Sequence, residues 1–330
     1  MDIKAKDRLD FIDICKGLGI LLVILGHIYE PNSRVGIWIY SFHMPLFLIV
    51  SGILLNYKNT VGKNIKSVII SRIQGLLVPY LIFEFIAIVI YLLVKETLTL
   101  TTLRYTVIDS LIVYYCRAGA TWFLPCLFIA ELLFIIMKKV IKNDKLLICS
   151  SLIIYLIPFV FTTDNHYINL IYKSFDALGF IVFGYYGYER INSTDMKVKN
   201  MVFILFISIV LSQINGAVAL NGMEFGNCLF YSIDAILGLM FIIFISKKID
   251  NKYLKYIGKN TLIILCTHLI IQRYFIDVLT GKNRYFYLDG LSIFIVVCII
   301  EIPIIEIINR YFPFMIGKFH EKSTKYYRLD

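Results

Sequence analysis

Two consecutive apolar stretches near the start of the chain each carry ionisable side chains at defined depths, and few folds accommodate that. Residues 11–27 read Phe-Ile-Asp-Ile-Cys-Lys16-Gly-Leu-Gly-Ile-Leu-Leu-Val-Ile-Leu-Gly-His27, and residues 36–55 are equally apolar around His43. Each is long enough to cross a bilayer as a helix. A cation or imidazole inside such a helix is costly, so it faces a cavity, a partner or a substrate. Lys16 and His27 are eleven residues apart. At 3.6 residues per turn that is about 1100°, so they share one helix face, about 16 Å apart along the axis. One face therefore presents a cation near one membrane surface and an imidazole near the other. His43 lies seven residues into the second stretch, about 10 Å deep and level with His27.

The rest of the chain is as apolar. Hydrophobic residues make up 59% of the 330 positions, and mean hydropathy is +0.77. Apolar residues all round a helix are needed where lipid is the solvent, so the expectation is an all-α integral membrane protein. Ten spans are read at about 11–28, 36–55, 76–94, 121–137, 146–161, 168–188, 200–214, 226–246, 258–277 and 291–312. With the N-terminus in the cytoplasm, the inner segments hold 24 of the 33 Lys and Arg; the outer side holds eight, and Lys16 completes the set. That bias sets the orientation and places both termini inside. The net charge of +10 is thus a topology signal, and nucleic-acid binding is not expected.

Residues 105–116 are too short to cross and read as an outer interfacial or re-entrant piece. Residues 62–74 read as an amphipathic helix on the cytoplasmic surface. No cleavable leader, repeat or linker is visible, so residues 1–330 are expected to form a single membrane domain without an appended soluble one. The seven cysteines show no CxxC pair and read as small packing residues. Two histidines without a nearby carboxylate or thiolate do not complete a metal site, and no metal is expected.

Six carboxylates fall within the spans: Glu84, Glu131, Asp176, Asp234, Glu301 and Glu306. Pairing with internal hydroxyls or cations accounts for most of them, while an intramembrane acid can also bond sugar hydroxyls or orient a histidine. Glu84 and Asp176, with Trp122 at the outer end of the fourth span and His268 within the ninth, are the candidates for substrate contact. Asp13 lies one turn before Lys16, and an i,i+3 ion pair explains it. Trp38 reads as part of an aromatic belt. On the inner side, Arg72, Lys63 and Lys66 form a basic patch beneath Lys16. It suits anionic lipid headgroups or a phosphate-rich cytosolic ligand.

These residues carry a resemblance. Lys16 followed by ten residues and His27, then Phe42-His43-Met44-Pro45-Leu46-Phe47 and Ser51-Gly52, resembles the acyltransferase-3 family of bacterial membrane proteins, its fucose 4-O-acetylase-like branch most of all. Arg72 before Pro79-Tyr80, Trp122-Phe123-Leu124-Pro125, and Ile257-Gly258-Lys259-Asn260 leading to His268 fit as well. The family commonly has Arg where Lys16 stands, and often a second Arg where this chain has Gly75.

The resemblance implies acyl transfer from cytoplasmic acyl-CoA, with acetyl-CoA as donor. The acceptor would be a hydroxyl of a surface polysaccharide or lipid-linked sugar, at the bacterial inner membrane. His27 is then the general base or acyl-accepting nucleophile, with His43 beside it. Lys16, Arg72, Lys63 and Lys66 hold the donor, while Trp122, Glu84, Asp176 and His268 contact the acceptor. The competing expectation is a flippase for a lipid-linked saccharide, since transporters also place charge at mid-membrane. The absence of visible repeats or broken helix pairs in the sequence speaks against it.

Overall fold

The computed structural model describes residues 9–29, 31–95, 99–111, 116–161, 165–276 and 290–319. Over these the chain is helical, with no strand beyond one isolated bridge between Ala219 and Glu224. The helices are α1 (Asp10–Ile28), α2 (Arg34–Tyr57), α3 (Ile65–Arg72), α4 (Val78–Lys95), α5 (Leu100–Leu111), α6 (Phe123–Val140) and α7 (Asp144–Val160). They continue with α8 (His166–Ser193), α9 (Val198–Asn215), α10 (Cys228–Ser246), α11 (Lys252–Lys259), α12 (Thr261–Ile270) and α13 (Gly290–Tyr311). Many begin at short polar side chains that accept the orphan amides of the first turn: Ser33, Asn64, Asn143, Asn227 and Asn251.

Among the described residues seven helices are long and apolar enough to cross a membrane, and an eighth span arises if α11 and α12 count as one bent pair. Of the expected ten, 146–161 and 168–188 appear as helices α7 and α8 but fall outside that set. The buried share separates interior helices from rim helices. In α2 and α6 72% of the apolar window is buried, against 17% in α9 and 28% in α13. On α9 the side chains Val202, Phe203 and Phe206 are left exposed, an arrangement that only a hydrocarbon surround stabilises. The protein is a multi-pass membrane protein.

Close backbone approach fixes the interior. A Cβ on Gly52 of α2 would lie 2.1 Å from the Ile181 carbonyl oxygen of α8, and one on Gly184 of α8 would lie 2.1 Å from that of Ile49. The reciprocal pair presses α2 onto α8. Gly17 of α1 and Gly258 of α11 do the same, against the carbonyls of Leu254 and Asp13. Both sequence motifs that end in such a glycine, Ser51-Gly52 and Ile257-Gly258, thus serve packing.

Three expected boundaries change. The segment expected as a separate surface helix at 62–74 is continuous with the third span: α3 runs through a π-turn (Ile73–Leu77) into α4. The wider turn absorbs the extra residue that a straight helix would expel. The ninth span is broken at Asn260, where α11 and α12 meet at 76°. The short segment expected at 105–116 appears as α5, which begins at Leu100 and ends at Leu111. Its twelve residues span about 18 Å, still too short to cross, and 112–115 lie outside the described residues.

Candidate functional site

The inner part of the site is a cavity of about 230 Å³ lined by three cations, Lys16, Lys58 and Arg72, and one carboxylate, Glu131. Its remaining wall is apolar, with Ile20, Phe47, Leu124, Leu127 and Leu265. Lys16 forms the expected ion pair with Asp13, 2.9 Å. Arg72 Nε sits 2.6 Å from Glu131 Oε2, and Ser51 donates its hydroxyl to Glu131 Oε1. Glu131 is 3% exposed; it anchors the base of the Arg72 guanidinium while the group lines the cavity. A positively lined cavity with an apolar far wall suits an anionic ligand that carries a flexible apolar arm.

Lys63 and Lys66 do not line it. Both are exposed; Lys63 offers only its carbonyl, to Lys139 Nζ at 3.0 Å. Lys66 and Arg72 are six residues apart, about 240° around the helix, so they cannot share a face. Lys58, two turns beyond Ser51 on α2, lines the cavity instead.

Above the cavity's apolar roof three imidazoles converge. His43 is about 6 Å along α2 from Phe47, and His268 about 4.5 Å along α12 from Leu265. The His27 and His268 rings are 5.4 Å apart, and Tyr40 links the group, 6.0 Å from the His27 ring and 4.9 Å from that of His43. The Tyr40 hydroxyl and His27 Nδ1 are 3.2 Å apart. His43 Nδ1–H donates to the Ile39 carbonyl (2.9 Å) and His268 Nδ1–H to that of Ile264 (2.7 Å). A carbonyl only accepts, so both rings are held in the Nδ1–H form with a bare Nε2 lone pair. Among the described residues, that of His268 is buried without a hydrogen-bond partner. Arg273, one and a half turns beyond His268, is close enough to act electrostatically on His27, His268 and Tyr40.

The remaining expected substrate residues lie elsewhere. Glu84 accepts the Arg117 and Ala118 amides (2.8 and 3.2 Å) and the Thr121 hydroxyl. Its oxygens are spent inside the protein, fixing the turn that delivers Trp122 to α6. Trp122 is 7% exposed, with Lys173 Nζ 5.1 Å over its ring. Asp176 is fully buried on α8, where Tyr231 donates to Oδ2 at 3.2 Å. Asp234, Glu301 and Glu306 likewise accept from Ser208, Thr267 and Tyr256. Trp38 is packed against Phe42 and donates to Ser208, so its indole serves the interior.

Sequence reading gave no role to Tyr40, Lys58 and Arg273, and named Ser51 only within a motif. Tyr40 at i−3 from His43, and Lys58 two turns from Ser51, were visible as helix-face neighbours; the others depend on tertiary contact. Among the described residues no three His, Cys, Asp or Glu side chains group to hold a metal ion.

The family model described as an acyltransferase domain matches residues 9–308. The chain belongs to the acyltransferase-3 family. The protein is therefore a membrane acyltransferase, and the cavity and the histidine cluster both lie within the matched span. Searches of curated proteins and of solved structures return no match.

Proposed function

We propose that this acyltransferase carries an acetyl group from acetyl-CoA at the cytoplasmic face to a hydroxyl of a surface polysaccharide or lipid-linked sugar precursor. The setting is the bacterial cytoplasmic membrane, with ten spans and both termini inside. What carries the reading is the vertical order on α1: a cation-lined cavity at Lys16 and an imidazole cluster about 16 Å along the same face at His27. The phosphates of the donor bind Lys16, Lys58 and Arg72, and the pantetheine arm runs past Ile20, Phe47 and Leu265 towards the rings.

In the transfer step His27 Nε2 takes the proton of the attacking hydroxyl while its oxygen bonds to the thioester carbonyl carbon. The C–S bond breaks, and the coenzyme A thiolate leaves with that proton. Nε2 acts as a base only if Nδ1 carries the hydrogen, so this step has His27 Nδ1–H donating to Tyr40 Oη. Tyr40 then orients the base, with His43 alongside. An acyl-His27 intermediate is the covalent variant. Trp122 and His268 are assigned to the acceptor side.

A lipid-linked saccharide flippase is the second reading, and the 76° break between α11 and α12 favours it, since broken helices mark transporter sites. Mass spectrometry of surface glycans with and without the protein separates the two. Loss of acetyl mass supports transfer, and loss of whole glycan supports transport. Cysteine labelling tests the orientation: Asn143 is expected inside and Asn165 outside, and the reverse would refute a cytoplasmic donor cavity.

A further inference from the structure

Gly75 is a glycine without a structural reason. It lies in the π-turn Ile73–Leu77 and has no positive φ, so alanine would adopt its backbone. Glycine inside a helix carries an entropic cost, and at four other helical positions packing justifies it: a Cβ on Gly17, Gly52, Gly184 or Gly258 would strike a carbonyl. A Cβ on Gly75 would meet no heavy atom within 4 Å. Gly216 is similarly open, but its φ of +81° calls for glycine. Gly75 lines the cation-bearing cavity, three residues after Arg72. The backbone of Gly317 rests against Gln74 and the Gly75 amide, bracing the turn from behind.

We infer that Gly75 keeps space for the ligand: its missing side chain leaves room for the nucleotide end of the donor, whose phosphates then reach Arg72 and Lys58. This rests on the acyl-CoA reading above and adds the residue that sets what fits beside Arg72. A π-turn at a cavity wall is a common functional device, and here it widens the wall where the side chain is absent.

The test is calorimetric binding of coenzyme A and of adenosine 3′,5′-bisphosphate to the full-length protein and its Gly75→Ala, Gly75→Leu and Gly75→Trp variants, with Tm measured on each. Gly75→Ala should bind both ligands within about twofold of the parent, at equal or higher Tm. Gly75→Trp should lose about tenfold or more for both ligands, because the side chain occupies their place. If Trp lowers Tm, Gly75→Leu decides, with a smaller loss at parental Tm. Parental affinity in Gly75→Leu and Gly75→Trp at unchanged Tm would overturn the inference. So would a loss confined to coenzyme A, which would put the pantetheine arm at Gly75. A parent protein that binds neither ligand would instead remove the acyl-CoA reading itself.

Discussion

The cavity and the histidine cluster handle buried polarity in opposite ways. At the cavity acids answer cations: Glu131 in its lining pairs with Arg72, Asp13 from outside the lining pairs with Lys16, and three cations line it with one acid. In the cluster the partners of the rings among the described residues are backbone carbonyls, a phenol and one another, with no carboxylate. Paired cations can exchange one anion for another, so the cavity is built to bind. Imidazoles held by neutral partners keep lone pairs free for protons, so the cluster is built for chemistry. Under the acyl transfer proposed above, the difference gives affinity to one region and turnover to the other.

The largest effect should come from the cluster. His27→Ala is expected to lower kcat by about 10²–10⁴-fold, the usual contribution of a general base, with donor affinity and expression unchanged. Loss of affinity instead would erase the distinction between the regions. Next come the cavity cations. Arg72→Ala or Lys58→Ala should raise the Kd for coenzyme A by about ten- to a hundredfold, as expected for a lost charge-assisted bond. Activity should recover partly at high donor concentration. The gap between variant and parent should shrink as salt rises; a salt-independent gap would point to packing.

Tyr40→Phe sharpens the contrast within the cluster. It should cost about tenfold or more in kcat, typical of an orienting partner, without moving Kd. A parental rate would mean His27 is positioned by its neighbours' rings alone. The smallest effect is expected at Lys63 and Lys66, both exposed and outside the cavity lining. Lys63→Ala and Lys66→Ala should change donor affinity by no more than about twofold, as for surface charges generally. A larger loss would return the donor's phosphates to the surface patch.

What the sequence discloses follows from the range of each interaction. The shared α1 face of Lys16 and His27 and the Asp13–Lys16 pair were legible because helix periodicity is local. The family was legible for the same reason, through short motifs on α1 and α2. Pairing with a hydroxyl or cation, expected for most of the six acids, is found at each, including Glu84 and Asp176, which were expected to meet substrate. Yet Ser51 for Glu131 or Thr121 for Glu84 lies far along the chain. Long-range pairing also hid the meeting of His268 with His27, and the contest between Lys58 and Lys66 for the cavity. The helix at 62–74 and the span at 76–94 read as separate elements, whereas the π-turn carries one helix through. The 76° bend at Asn260 has no hydropathy signal, since α11 and α12 taken together still pass as one span.

One paired measurement tests the division of labour most directly. The His27→Ala and Arg72→Ala proteins are given isotope-labelled acetyl-CoA in membranes carrying native acceptor, and bound donor and acetylated glycan are quantified across donor concentration. The expected result is parental donor binding with no transfer at any concentration for His27→Ala, and weak binding with transfer recovering at saturation for Arg72→Ala. Transfer by His27→Ala at saturating donor, or parental donor affinity in Arg72→Ala, would contradict it.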